Sequence, residues 1–213
     1  MKIGIIGSAV VGQTLAKGFK AEGYDTMIGT RDVSKETLIS FSKANDVALG
    51  TFEETARFGE LLVICTKGAA AKIALNMAGA ENLDSKIIID TTNPIADLPP
   101  ENGVLHFTTT QNNSLMEALQ EEFPNVKFVK AFNSVGSAAM YKPDYGGIKP
   151  TMFICGNDEA ARQTVSDILT SFGWETEDMG SATAARAIEP LCILWCIPGF
   201  LRNQWTHAFK LLK

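Results

Sequence analysis

Residues 1–32 read MKIGIIGSAVVGQTLAKGFKAEGYDTMIGTRD, and this stretch decides the fold. Lys2 to Gly7 is an apolar run that is short enough to form a strand buried in a parallel sheet. A glycine-containing turn follows at once, and apolar residues then recur at helical spacing from Thr14 to Ala21. A second apolar strand, Tyr24 to Gly29, comes next. Strand, glycine turn, helix and strand in this order are the context that a dinucleotide-binding fingerprint requires.

The turn Gly7-Ser8-Ala9-Val10-Val11-Gly12 is predicted to bind a pyrophosphate. Gly7 allows the tight turn out of the strand, and Gly12 allows the helix to pack closely on the sheet. Ala9 stands where the middle glycine of G-x-G-x-x-G usually lies, and a methyl group is the smallest departure from glycine. The free amides and the positive dipole at the start of the helix then face the phosphates.

The end of the second strand distinguishes NADP from NAD. NAD enzymes usually carry Asp or Glu here to accept a ribose hydroxyl, whereas this chain has Thr30 and Arg31. A carboxylate would repel a 2′-phosphate, but a guanidinium binds it through paired, charge-assisted hydrogen bonds. The alternative is a solvated arginine that pairs with the neighbouring Asp32. Together with the glycine turn, Thr30 and Arg31 favour NADP(H) as the cofactor.

Composition and charge restrict the class of protein. The 213 residues allow one large domain, or a domain with a modest appendage, and 46% of them are hydrophobic. The net charge of −5 argues against nucleic acid or an anionic membrane as a partner. No apolar run approaches the length of a membrane span, and a strand from Lys2 leaves no room for a signal peptide. Four cysteines in apolar surroundings suit reduced thiols, so we expect a cytoplasmic protein.

Strand-like and helix-like segments alternate over residues 1–149, which predicts an α/β fold with a Rossmann-type, doubly wound parallel sheet that binds NADP. Ser34 is predicted to cap one helix and Thr51, with Glu54, another. The predicted strands are Val47–Leu49, Leu61–Thr66, Lys86–Asp90 and Val126–Phe132, and the predicted helices are Ser34–Ala44, Thr51–Phe58, Ala69–Ala78 and Ser114–Phe123.

Residues 150–213 are predicted to form a small α/β extension that ends in helices and packs on the first domain. Pro198-Gly199 is expected to break a helix that starts at Ser181, and Phe200–Leu212 is expected to form a terminal helix. The extension has more apolar side chains than the core of so short a segment needs. An exposed apolar face of this kind predicts a homodimer through its helices. The alternative is that these residues pack back on the sheet. They are Met179, Leu191, Leu194, Trp195, Phe200 and Trp205.

Residues that follow later strands are expected to line the ribose and nicotinamide end of the same cleft, because ligands bind at the carboxyl ends of parallel strands. Thr66 and Lys67 follow one strand, and Thr92-Asn93-Pro94 follow the next. The alternative reading of these residues is ordinary turn chemistry. Ile95–Asn113 has little regular pattern, and a loop this long could close over a bound ring.

No acid–base pair is recognisable, so no catalytic side chain is predicted. The two histidines, His106 and His207, have no nucleophile partner in the sequence. A carbonyl reductase would want a proton donor such as Tyr-x-x-x-Lys, and Tyr141-Lys142 lacks that spacing. Cys192 and Cys196 share a helix face, but they supply only half of a zinc site, so no metal is predicted.

Six blocks of sequence resemble one family, in order and over nearly the whole chain. They are MKIGIIGSAVVGQTLAKGF, GTRD, DTTNP, VKAFNSVGSAAM, PTMFICGND and ARAIEPLCILW. Together they resemble the NADPH-dependent oxidoreductases of the deazaflavin (coenzyme F420) family, and STEAP-type reductase domains look similar.

The resemblance implies a Rossmann domain with a small C-terminal extension, often dimeric, that transfers a hydride between NADP and a deazaflavin. Its acceptor pocket would fall around Asn133, Val135 and Gly136, with Asn93-Pro94 opposite. Archaeal members tend to have His and Pro in place of Asn133 and Gly136, and Pro is common in place of Lys67. The second substrate is therefore left open between a deazaflavin and a flavin-like molecule.

Two other functions are compatible with the same residues. One is an NADPH-dependent reductase of a small imine or carbonyl compound, like the pyrroline-carboxylate reductases. The other is a non-enzymatic NADP-sensing module, because residues that only bind the nucleotide would look the same.

Replacing Arg31 with Ala tests the cofactor assignment. We expect the Kd for NADPH to rise about tenfold or more, because a charge-assisted contact to the 2′-phosphate is lost. The Kd for NADH should not change, because NADH lacks that phosphate. Equal effects on the two Kd values, measured by titration of nucleotide fluorescence, would contradict the assignment.

Overall fold

Six parallel strands form the main sheet, in the order β3-β2-β1-β4-β5-β6. The computed structural model of the protein describes residues 1–213. This strand order is that of a Rossmann sheet, and the order reverses between β1 and β4. The predicted fold class is confirmed. The strands are β1 Lys2–Ile6, β2 Asp25–Thr30, β3 Ala48–Thr51, β4 Leu61–Ile64, β5 Ile87–Asp90 and β6 Lys127–Lys130.

Helices cover both faces of this sheet because its strands are apolar on both sides. In β4, Val63 belongs to a core shared with helix α1, whereas Leu62 and Ile64 belong to a second core on the other face. The side chains of Leu15 and Phe19 fill the first core. The helices of this part are α1 Val10–Ala21, α2 Glu36–Asn45, α3 Phe52–Phe58, α4 Gly68–Ala78, α5 Ala80–Leu83 and α6 Leu115–Glu122.

One predicted helix start is confirmed and one is wrong. The Thr51 hydroxyl accepts from the Glu54 amide at 3.2 Å and the Glu54 carboxylate accepts from the Thr51 amide at 2.7 Å, a complete capping box. Ser34 does not cap α2, which begins at Glu36 after Lys35. The Ser34 hydroxyl instead donates to the Asp32 carboxylate at 2.6 Å, because Asp32 forms a local turn at the strand end.

The C-terminal part adds a second sheet of two parallel strands, β7 Thr151–Ile154 and β8 Glu175–Asp178. Helix α7, Glu159–Ser171, connects them, and its side chains Val165 and Leu169 belong to the same core as α1. Helices α8, Ala185–Ile188, and α9, Leu191–Arg202, follow.

The predicted break at Pro198-Gly199 is wrong. Helix α9 contains Pro198 and continues to Arg202. Asn203 caps it with a left-handed backbone (φ 53°), and its amide donates to the Gly199 carbonyl at 2.8 Å. A Cβ on Gly199 would overlap the ring of Trp205, so the chain folds back on α9 at this point. Residues 203–213 consequently form no helix, and the Phe209 carbonyl accepts from the Thr151 amide of β7 at 2.9 Å.

The expectation that no apolar segment could span a membrane also needs correction. Ala182–Arg202 is a helical stretch of 21 residues that is long and apolar enough to do so, and 33% of its most apolar window is buried. One such helix is weak evidence, since core helices of soluble proteins have the same length and composition. This one carries Glu189, which is buried against the main sheet.

Replacing Gly12 with Ala tests the close contact on which the first turn depends. A Cβ at this position would overlap the carbonyl oxygen of Gly7. We expect the free energy of unfolding, measured with urea, to fall by about 1–3 kcal/mol, the usual cost of overpacking. Lys17→Ala, at an exposed site of the same helix, is the matched control and should change it by less than about 0.5 kcal/mol. Equal stabilities of the two variants would contradict the contact.

Candidate functional site

The predicted site residues lie along one edge of the main sheet. The carboxyl ends of β2, β1, β4, β5 and β6 are neighbours in that order. They are followed respectively by Arg31, the turn 7–12, Thr66-Lys67, Thr92-Asn93-Pro94 and Asn133. Five separate segments therefore meet where a Rossmann sheet binds its ligand, beside the reversal of strand order between β1 and β4.

The glycine turn leaves the first amides of α1 free. Gly7 has a φ of +127°, and its amide donates to the Gly29 carbonyl at 3.2 Å. Ala9 occupies the N-cap position without a capping side chain, and the first turn of α1 has no acidic residue. Unpaired amides, the helix dipole and the absence of negative charge fit a bound phosphate.

Arg31 does not form an ion pair with the neighbouring Asp32. It is exposed and forms no ion pair in the structure. Asp32 accepts from the hydroxyl and the amide of Ser34, at 2.6 and 2.9 Å, and the hydroxyl bond holds the pKa of Asp32 below its usual value. The alternative reading, in which Asp32 pairs with Arg31, is therefore wrong, and the guanidinium is available to an anion.

The turn after β4 supplies an unpaired hydroxyl. The Oγ1 atom of Thr66 is buried and has no hydrogen-bond partner. Lys67 is exposed and precedes α4, and a Cβ on the next residue, Gly68, would overlap the Asn93 carbonyl. The turns after β4 and β5 are thus in contact. Because buried hydroxyls are nearly always hydrogen-bonded, Thr66 fits a site that is completed by a ligand.

Thr92 lies at the same edge, but its hydroxyl proton is used inside the protein. It donates to Asp90 at 2.6 Å, and the neighbouring Thr91 hydroxyl donates to the Ile64 carbonyl at 2.9 Å. Asp90 is fully buried, and a buried carboxylate requires donors. We expected the Thr92 hydroxyl to reach the cofactor, but the structure commits this proton to Asp90.

Asn93 and Asn133 join the ends of β5 and β6. The Asn93 amide group donates to the Asn133 carbonyl at 2.8 Å, and the Asn133 amide group donates to Asn93 Oδ1 at 3.2 Å. Asn133 also donates to the Ile188 carbonyl at 2.9 Å, while its own Oδ1 is buried and has no partner. The Pro94 carbonyl accepts from the amide of Thr108 at 2.7 Å, which ties the long loop back to this edge.

A buried ionic triad beneath this edge was not predicted. Lys130 Nζ lies 2.6 Å from an oxygen of Asp90 and 2.9 Å from an oxygen of Glu189, and all three side chains are buried. Burial alone lowers the pKa of Lys130, but the charges of Asp90 and Glu189 raise it above its usual value. The sequence does contain a sign of this triad: Asp90, Lys130 and Glu189 are charged residues within the largely apolar segments IIID, KFVKAF and ARAIEPLC.

The cysteines are poor candidates for catalysis. Burial raises the pKa of the Cys65 and Cys155 thiols to about 12, so neither is a thiolate near neutral pH. Cys192 and Cys196 lie one turn apart in α9, as predicted from their spacing. No group of three or more His, Cys, Asp or Glu residues lies close enough together to hold a metal ion.

Comparison with known proteins places the chain in a family. The family model described as NADP oxidoreductase, coenzyme F420-dependent, matches residues 2–94. A candidate F420-dependent NADP-reductase from Arthrobacter sp. FB24 has 32% sequence identity to this chain. Its crystal structure superposes on this one with a TM-score of 0.93, and the match covers 100% of both chains. The chain belongs to this family. It is an NADP-dependent oxidoreductase, which confirms the family and the cofactor NADP(H) expected from the sequence.

More distant similarities extend beyond the family. Metalloreductase STEAP3 of Rattus norvegicus is 30% identical over 204 residues, which are 94% of this chain but only 39% of that protein. The chain thus spans about two fifths of the length of this relative. A Streptomyces aurantiacus imine reductase shares the fold, with 16% identity and a TM-score of 0.69 over 94% of this chain and 63% of that one.

Proposed function

We propose that the protein transfers a hydride between NADP(H) and a deazaflavin or flavin-like acceptor that binds across the cleft. The observation that supports this most is the similarity over its full length to the candidate F420-dependent reductase. In this chain, the edge of the sheet offers two halves of such a site: the nucleotide residues at β1 and β2, and the amide pair at β5 and β6.

In the proposed site, the nucleotide binds to groups that have no partner within the protein. In our proposal the amides at the start of α1 bind the pyrophosphate, Arg31 binds the 2′-phosphate, and the buried Thr66 hydroxyl binds a ribose. Lys67, which is exposed and forms no ion pair, adds a second positive charge beside Thr66. When bound, NADP(H) supplies the hydride, and the protein has to bind it and hold it in one orientation.

The acceptor half would be formed by neutral groups. Asn93 and Asn133 add no charge beside a hydride donor, and Asn133 Oδ1 has no partner within the protein. Hydride transfer between two rings needs alignment and exclusion of water more than it needs an acid or a base. The long loop 95–113 leaves from the same edge, and we propose that it shields the acceptor from solvent.

Two candidate proton donors for carbonyl reduction, Tyr141 and His207, are engaged elsewhere. The Tyr141 hydroxyl donates to Glu22 at 2.8 Å, and the His207 ring stacks on Trp195 and lies 2.9 Å from its carbonyl oxygen. The likeness to an imine reductase is one of fold alone at 16% identity. We therefore keep imine or carbonyl reduction, and nucleotide sensing without turnover, as outcomes of the test.

We also propose a homodimer through the face of α9 and the residues after it. Its apolar side chains are unusually accessible, with Leu194 55% exposed and Leu201 54% exposed. Phe200 and Trp205, which pack edge to face at 5.2 Å between ring centroids, are 44% and 38% exposed. An exposed apolar face of this kind usually marks an interface.

Stopped-flow mixing tests the proposed reaction. When the protein and NADPH meet oxidised coenzyme F420, we expect the deazaflavin absorbance to fall as one NADPH is oxidised per acceptor, with one proton taken from water. Flavin mononucleotide and a panel of imines and carbonyls are measured in parallel. Turnover of imines or carbonyls alone would contradict the proposal in favour of a small-molecule reductase. Tight binding of NADPH without turnover would support a sensing module.

Sedimentation velocity at micromolar concentration tests the dimer. We expect the wild type to sediment as a dimer and Leu194→Glu as a monomer, because a buried charge at an apolar interface is costly. Ile73→Glu changes an equally exposed apolar residue of α4, at 62% exposure, and should leave the dimer intact. A monomeric wild type would mean that no interface forms on this face.

A further inference from the structure

The Asp90–Lys130–Glu189 triad has no place in the nucleotide half of the site and is costly to bury. Lys130 and Asp90 are fully buried, and Glu189 is 1% exposed. The free-energy cost of moving three charges out of water is offset by their attraction only when their geometry is good and their remaining donors and acceptors are hydrogen-bonded. The contacts of the triad therefore show what it holds in place.

On the side of β5, the triad fixes Thr92. Asp90 and Lys130 are register partners at the carboxyl ends of β5 and β6. The Lys130 ammonium donates to the Thr92 carbonyl at 2.8 Å. The Asp90 carboxylate accepts from the amide and the hydroxyl of Thr92, at 2.8 and 2.6 Å. Three polar contacts thus hold the residue directly before Asn93.

On the side of the C-terminal part, Glu189 joins two further elements. Its carboxylate accepts from the amides of Leu115 and Met116, each at 3.0 Å, at the start of α6. Its neighbour Ile188 accepts from the Asn133 side chain at 2.9 Å. These amides, together with the helix dipole, offset the excess negative charge of two carboxylates on one ammonium.

Lys130 and Asn133 make parallel sets of contacts. Lys130 and Asn133, three residues apart at the end of β6, each contact the pair Thr92-Asn93 and the pair Ile188-Glu189. Apolar contacts would hold these segments together but would not fix their direction, whereas hydrogen-bonded charges do both. The separation of Asn93 from Asn133 consequently depends on the ammonium group beneath them.

We propose that Lys130 is a positioning residue for hydride transfer. Its buried ammonium, held between Asp90 and Glu189, sets the spacing of Asn93 and Asn133 and thereby the alignment of the donor and acceptor rings. This inference rests on the proposed function, because that function places the acceptor at the amide pair. Lys130 itself contacts neither ring, and its effect is transmitted through Thr92-Asn93 and Ile188-Glu189.

The test compares Lys130→Met and Glu189→Gln with the wild type. Lys130→Met leaves two buried carboxylates without their cation and can unfold the chain. Glu189→Gln therefore provides a second variant, which keeps the shape and one acceptor but removes a charge. Arg186→Met is the matched control, because it removes a partly exposed ion pair with Glu117 beside the triad and changes none of Asp90, Lys130 and Glu189. Melting temperature, NADPH affinity and single-turnover hydride transfer from NADPH or deuterated NADPH to coenzyme F420 are measured for each.

We expect each triad variant that folds to bind NADPH as the wild type does, because the residues proposed to hold its phosphates, at β1 and β2, are not disturbed. Their hydride-transfer rate should fall about tenfold or more, and the primary isotope effect should rise, because misaligned rings slow the transfer step itself. A merely structural role would lower only the melting temperature. Arg186→Met should match the wild type in rate and isotope effect.

Two results would overturn the inference, and they differ from each other. If the folded triad variants transfer hydride at the wild-type rate with the wild-type isotope effect, the positioning role fails alone. If the wild type transfers no hydride to any acceptor, the proposed function fails together with the inference.

Discussion

The contact on which the rest of the structure depends is the ion pair between Lys130 and Asp90 at the carboxyl edge of the sheet, shared with Glu189. It is the one place where the Rossmann sheet, helix α6 and the C-terminal helices are joined by charges that water does not screen. Isolated buried charges are so unfavourable that each of the three side chains depends on the others. The edge that carries the amide pair is therefore also the edge at which the C-terminal part is anchored.

The nucleotide half rests on a different constraint, which is room for the backbone. Gly7 turns the chain with a left-handed φ, and Gly12 lets α1 pass against the Gly7 carbonyl. Ala9 needs no such room, because its backbone is extended and its side chain is exposed. This explains how a degenerate fingerprint still leaves the first amides of α1 free. The turn after β1 is thus shaped by backbone geometry, whereas the Asn93–Asn133 end of the same edge is held by side-chain hydrogen bonds.

Local rules predicted the start of α3 correctly but failed at the start of α2 and the end of α9, where other contacts replaced the expected ones. The Thr51–Glu54 capping box was predictable because both partners lie within one turn. Pro198 was expected to end its helix, and it does not. The packing of Trp205 against Gly199 and the left-handed Asn203 place the helix end at Arg202 instead. The backbone hydrogen bond that Pro198 cannot make destabilises the helix less than the packing of its side chains stabilises it.

Periodicity and the glycine turn by themselves indicated the doubly wound sheet, because apolar strands that alternate with helices are typical of a parallel sheet covered on both faces. Strand-end chemistry likewise indicated NADP, since Arg31 lies next to the turn in any such fold. Only the tertiary structure decided that the Thr92 hydroxyl belongs to Asp90, and that Lys130 meets a glutamate 59 positions further along the chain. No local pattern contains that information, because a buried charge finds its partner through the packing of whole elements.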